Sequence, residues 1–262
     1  MEGDGSVYRR KPELGAFADR ALRQVQHLVG AVGELLVPPQ CPGCGRSGEC
    51  VEHGKSGDLC PQCKAQLQQV PRRFSPRASL RAPAWTCGPY AGAHRGIILS
   101  AKERGSRRAR EIMGAVVGAA LGNLAAVGEI MPPLITPIVL IPAPTRRGSA
   151  RRRGGDPVTL ACEFAAATMR GVEVLSLVQT QASTTDSAEL GASQRRANLS
   201  GRILPNVTAG SEKHAQLLKL CESATVVLVD DVATTGATAS ETELVLASLG
   251  VRLDLVLVVS RA

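Results

Sequence analysis

The chain has 262 residues, 44% hydrophobic and 21% charged, a composition that excludes the low-hydrophobicity, high-charge pattern of disordered proteins. Aromatic residues make up only 2%, so the core is expected from Ala, Val, Leu and Ile, and nucleobase recognition on a stacking platform has few candidates. The net charge of +8 is carried mostly by arginine, whose planar guanidinium suits bidentate capture of phosphate, and phosphate-bearing partners are expected.

Residues 1–12 are polar and glycine-bearing and read as a tail, without the basic and apolar regions of a signal peptide, so a cytoplasmic location is expected. Residues 13–39 carry apolar side chains at Leu14, Ala18, Ala21, Val25, Leu28, Val32 and Leu35, the spacing of an amphipathic helix that stops at Pro38 and Pro39.

Residues 40–69 form a cysteine module. Cys41 and Cys44 make one C-x-x-C pair, Cys60 and Cys63 another, with fifteen residues between, a spacing that matches a four-thiolate zinc site. Four protein ligands leave no open coordination position, which makes such a site structural. An iron–sulfur cluster fits the same spacing; disulfides fit a cytoplasmic protein poorly. Cys50 and His53 lie in the intervening loop; either could replace one thiolate, though the paired spacing needs neither.

Residues 70–84, rich in Pro and Arg and without periodicity, read as a linker before a main domain over 85–262. A strand, turn and helix start are expected over Trp85 to Ser100, and a helix of small residues over Ser106 to Val127. Within it, Gly114, Gly118 and Gly122 recur every four residues, but the stretch is short and Ala-rich for a membrane span, and close packing on a sheet is expected instead. A strand over Pro137 to Ile141 leads into an arginine-rich loop. A helix from Pro157 to Arg170 then carries Asp156 at its N-cap, Pro157 in its first position and Gly171 beyond its end. Strands follow over Val172 to Val178, Thr225 to Val229 and Val251 to Val259, with a polar loop containing a short helix from Thr180 to Gly201 and a helix from Thr238 to Leu249. Alternating strands and helices predict an α/β fold with a mostly parallel sheet and helices on both faces.

The segment Val226 to Thr238, VVLVDDVATTGAT, carries the most chemistry. Its strand delivers Asp230 and Asp231 to the carboxyl edge of the sheet, where open α/β folds bind ligands. Ala233, Thr234, Thr235, Gly236, Ala237 and Thr238 then supply a tight turn, hydroxyls and backbone N–H groups at a helix start, which is an anion site. Carboxylates for ribose hydroxyls beside a phosphate nest describe a ribose 5-phosphate pocket. The acidic strand end of a P-loop ATPase is the rival reading, but the chain lacks G-x-x-x-x-G-K-[ST].

This segment resembles the phosphoribosyl pyrophosphate motif of type I phosphoribosyltransferases. Together with the cysteine module, KERG at Lys102 to Gly105, the loop IPAPTRRGSARRRGG and QRRANLSG at Gln194 to Gly201, the order of motifs from about Leu35 onward resembles the ComF family. The resemblance implies a type I phosphoribosyltransferase-like domain joined to a cysteine zinc module. It also implies a phosphoribosyl pyrophosphate ligand with Mg2+, and participation in handling single-stranded DNA during uptake, with DNA-uptake proteins as partners. By the same resemblance Pro144, Thr145, Arg146 and Arg147 form the pyrophosphate loop, Arg195 and Arg196 contact the leaving group, and Asp230 and Asp231 hold the ribose. The two functional expectations are phosphoribosyl transfer to an acceptor and, alternatively, a non-catalytic DNA-binding accessory role.

Overall fold

A computed structural model describes residues 40–47, 58–144, 155–181 and 203–262. The expected helix over 13–39 lies outside the described residues, as does most of the loop from Thr180 to Gly201.

The described chain is an α/β structure around a six-stranded sheet. Helix α1 (Pro61–Leu67) and strand β1 (Arg72–Phe74) are followed by β2 (Ala84–Thr86), α2 (Gly92–Lys102), α3 (Arg107–Ala126) and β3 (Ile138–Pro142). Next come α4 (Pro157–Thr168), β4 (Val172–Val174), β5 (Val178–Thr180), β6 (Ile203–Pro205), α5 (Glu212–Glu222), β7 (Thr225–Ala233), α6 (Ala237–Ser248) and β8 (Leu255–Arg261). The strand order is β1-β2-β8-β7-β3-β4, with β1 antiparallel to β2 and every other pairing parallel. Strands β5 and β6 pair separately, antiparallel.

The central strands read as continuous apolar runs because both of their faces are covered. All five residues of β3, Val226 to Val229 of β7 and Leu255 to Ser260 of β8 are buried. One face packs Val227, Val229 and Leu257 against Ile97, Ile98, Met113 and Leu121 of α2 and α3 and Cys162 of α4. The other packs Val226, Leu228 and Val256 against Ala239 and Leu246 of α6. Each fully buried Leu, Ile or Met contributes about 1.5–3 kcal/mol by leaving water.

Helix boundaries follow the signals in the sequence. Ser106 caps α3 by accepting from the Ala109 N–H, and Asp156 caps α4 by accepting from the Thr159 N–H, with Pro157 in the first turn. The small residues of α3 serve contact with a helix rather than with the sheet: a Cβ on Gly114 would lie 2.5 Å from the Ala161 carbonyl oxygen of α4.

Three expectations are corrected. The segment 70–84 is not a patternless linker, because Arg72 to Phe74 form the edge strand β1, paired with β2 in the register Arg72 to Thr86. Nor does it set the cysteine module apart, since Cys41, Cys60, Cys63 and Leu67 share one apolar cluster with the sheet and with α2 and α3. The strand expected over Val172 to Val178 breaks at Leu175, where the chain turns out of the main sheet, and Val178 pairs with Pro205 instead. Finally, β6 and α5 were not anticipated: β6 is only three residues long, and α5 has Cys221 as its one buried residue, while Leu217, Leu218 and Leu220 pack partly buried against the core.

Candidate functional site

Strands β3 and β7 are adjacent and parallel, Pro142 opposite Val229, and they are the switch point of the sheet. The chain leaves β3 toward β4 on one side and β7 toward β8 on the other. A crevice at the carboxyl ends of such strands is where α/β sheets bind ligands. The Ala143 N–H donates to the Val229 carbonyl at 2.8 Å, so Pro144 emerges beside Asp230. Thr145, Arg146 and Arg147 lie outside the described residues, as do Arg195 and Arg196.

Strand β7 runs further than its apolar stretch suggests and carries both aspartates within it. Because successive side chains alternate faces, the two carboxylates part company. Asp230 lines a cavity of about 310 Å³ together with Ala233, Thr234, Thr235, Gly236, Ala237 and Thr238. Asp231 turns toward α2, where its Oδ2 meets Lys102 Nζ at 2.5 Å. Asp231 is only 5% exposed, and a buried carboxylate at that depth needs such a partner. The half-buried Asp230 accepts a 2.8 Å hydrogen bond from the Asp231 N–H. Burial and then the Asp231 charge push its carboxyl up to about 8, against the smaller opposing effects of that N–H and of Lys102.

The loop after β7 is shaped for an anion. Gly236 has φ 81°, in the left-handed region, and stands at the N-cap of α6 with no side chain to offer the first turn, whose Ala237 N–H donates to Thr235 Oγ1 at 3.3 Å. The residues of that turn line the same cavity as Asp230, at the positive end of the helix dipole. The segment expected as a linker roofs this loop: Ala78 N–H donates to the Thr235 carbonyl at 2.8 Å, and Ser240 Oγ donates to the Ser79 carbonyl at 2.7 Å. Phe74, Pro76 and Leu80 line the cavity, a contribution that no motif in the sequence announces.

Away from the sheet edge, the Sγ atoms of Cys41, Cys44, Cys60 and Cys63 all lie within 4.8 Å of one another and could hold a metal ion. Cys44 and Cys60 are 3.9 Å apart, and the Cys60 N–H donates to Cys41 Sγ at 3.3 Å. Tetrahedral zinc with bonds of ~2.3 Å would separate its sulfurs by about 3.8 Å, so the donor set fits that ion. Cys63 and Cys44 are shifted in opposite directions. Burial and the neighbouring cysteines push Cys63 up, while for Cys44 the effect of burial is outweighed by hydrogen bonds involving Arg46, Cys41 and Cys63, which bring it down to about 7. Cys50 and His53 lie outside the described residues. Cys87 and Cys162 are core residues whose thiols burial pushes up, Cys87 to about 12.

Helix α2 ties this cluster to the acidic pair. A Cβ on Gly96 would lie 1.7 Å from the Gly43 carbonyl oxygen, so only glycine lets the helix approach the cysteine turn. Ser100 Oγ donates to the Pro42 carbonyl at 3.0 Å, and Lys102 ends the helix at Asp231. The KERG stretch stood out in the sequence, but the carboxylate that its lysine meets is distant along the chain.

No helix among the described residues is long and apolar enough to cross a membrane. Compared with protein-family models and with curated proteins, the chain matches none.

Proposed function

We propose that the pocket at the carboxyl ends of β3 and β7 binds phosphoribosyl pyrophosphate and that the chain transfers the phosphoribosyl group to an acceptor, as a type I phosphoribosyltransferase-like protein of the ComF kind. The carrying observation is the convergence at one switch point of Asp230, the left-handed Gly236 turn that opens α6 and the exit of the β3 loop at Pro144. A bare phosphate site would need only the turn; a carboxylate beside it adds an acceptor for ribose hydroxyls.

In this reading Asp230 accepts from the ribose hydroxyls and Thr234 to Thr238 hold the 5′-phosphate. Asp231 acts through position, since Lys102 occupies it; its charge and its N–H set the state of Asp230. By resemblance, Thr145, Arg146 and Arg147 hold the pyrophosphate, and Arg195 and Arg196 attend its departure. The acceptor's lone pair forms the bond to C1 as the bond from C1 to the pyrophosphate oxygen breaks; pyrophosphate leaves with the electron pair and the acceptor's proton passes to solvent. Mg2+, held mainly by substrate oxygens, supplies charge neutralisation when bound. Zinc in the four-cysteine cluster is structural and fixes the base on which α2 rests. DNA uptake, with single-stranded DNA and uptake proteins as partners, enters by the family likeness, and the exposed Arg95 and Arg104 on and just beyond α2 offer charge to a phosphate backbone.

Pyrophosphate release from phosphoribosyl pyrophosphate, assayed with Mg2+ across nucleobases, amines and single-stranded DNA, tests the transfer. The expected result is release with at least one acceptor, lost in Asp230→Asn. Absence of release with every acceptor refutes transfer.

A further inference from the structure

A second cavity, of about 430 Å³, opens at the carboxyl ends of β2 and β8 and is lined by Arg72, Arg73 and Arg261 together with Thr86 and Gly88. It neighbours the pocket just described. Arg261 pairs in register with Ala233, and its guanidinium lies 5.9 Å from the ring centre of Phe74, which lines the other cavity. Strand β1 thus carries Arg72 and Phe74 on one face and Arg73 on the other, so that the strand borders both cavities.

Among the described residues no acidic side chain lines this cavity, and none of its three arginines forms an ion pair with a described carboxylate. Arginines at one opening without a carboxylate partner leave their forked donors to be taken by a bound anion with several acceptor oxygens. The floor is fixed rather than collapsible. Thr86 Oγ1 donates to the Gly88 carbonyl at 2.8 Å, the Arg261 N–H donates to the same carbonyl at 3.0 Å, and a Cβ on Gly88 would strike the buried His94 ring. The volume falls within the range of roughly 300–1,000 Å³ that small-molecule sites occupy.

We propose that this arginine cavity binds the phosphate or carboxylate group of a second small ligand, held beside the sugar-phosphate pocket. In identifying that ligand as the acceptor of the transfer, the inference rests on the preceding reading; the anion site itself does not.

The test is a titration of the full chain with inorganic phosphate and with thymidine 5′-monophosphate, followed by the Nε–Hε resonances of Arg72, Arg73 and Arg261. The amides of Thr235 and Gly236 are followed in parallel as reporters of the neighbouring pocket, so failure of either site is seen separately. Saturable shifts of the three arginines are expected, and they should persist when phosphoribosyl pyrophosphate and Mg2+ are present. The exposed double variant Arg72→Gln with Arg73→Gln should weaken binding by at least about tenfold, and Arg261→Gln should do the same, with unchanged amide spectra elsewhere. Arginine resonances that do not move, or binding that survives these variants, overturns the proposal. So does a twelve-residue oligothymidylate that moves the same resonances at least about tenfold more tightly than the monophosphate, which would make the cavity a station on a nucleic-acid backbone.

Discussion

Lys102 Nζ and Asp231 Oδ2 lie 2.5 Å apart, joining the end of a helix that rests on the cysteine cluster to the strand that carries the candidate ribose ligand. The two partners are unequally exposed, 30% for the lysine side chain and 7% for the aspartate. Lys102→Met therefore strands a buried carboxylate, whereas Asp231→Asn leaves an ammonium that can turn to water. Denaturant unfolding should show a loss of about 2 kcal/mol for Lys102→Met and a smaller one for Asp231→Asn. Equal losses would mean that the pair is not buried as described.

The acidity of Asp230 makes stability depend on pH in a defined direction. Its carboxyl is raised from an ordinary value of 3.8 to about 8, so the folded chain holds a proton that the unfolded chain releases. Stability from this group is fully present below pH 4 and is lost as pH rises through 8. Ligand-free protein unfolded by denaturant at intervals between pH 5 and 9 should lose stability upward, and Asp230→Asn should flatten that slope. Because ribose hydroxyls need the ionised carboxylate, affinity for phosphoribosyl pyrophosphate should rise over the same interval.

Metal removal should act at a distance. Chelation, or Cys63→Ser, should eliminate one equivalent of bound zinc per chain and lower the melting temperature, since metal binding and folding of such modules are linked. The contacts of Gly96 with Gly43 and of Ser100 with Pro42 place α2 on the module, so phosphoribosyl pyrophosphate binding should weaken severalfold as Lys102 loses its register. Elemental analysis and calorimetry on the same samples check both effects; unchanged affinity in metal-free, folded protein would separate the two parts.

Gly236→Ala should cost about 1 kcal/mol or more, because the left-handed conformation disfavours a side chain and the new Cβ would meet Pro76 at 2.5 Å. Ribose 5-phosphate binding should fall more steeply than stability, since the same turn would hold the phosphate. A variant that keeps full affinity would show that the turn is not the phosphate seat.

Much of this arrangement is legible in the residues. The two C-x-x-C pairs announce four converging thiolates, and Asp156 with Pro157 marks the start of α4 where it is found. The acidic end of β7 and the Gly236 turn are equally plain, because strand ends, caps and tight turns have local chemical causes. Hidden instead were features held by distant partners. Strand β1 is three residues, two of them exposed arginines, and exists because β2 pairs with it and because the chain beyond it bonds to Thr235 and Ser240. The division of labour between Asp230 and Asp231 likewise depends on which face of β7 the end of α2 reaches, and no spacing along the chain reveals it.

Isothermal titration of the metal-loaded chain with phosphoribosyl pyrophosphate and Mg2+ at pH 8, beside Asp230→Asn, tests the central claim most directly. One saturable site per chain is expected, weakened by at least about tenfold in Asp230→Asn through loss of a charged hydrogen-bond acceptor. No saturable heat at millimolar ligand, or equal affinity in the variant, would contradict it.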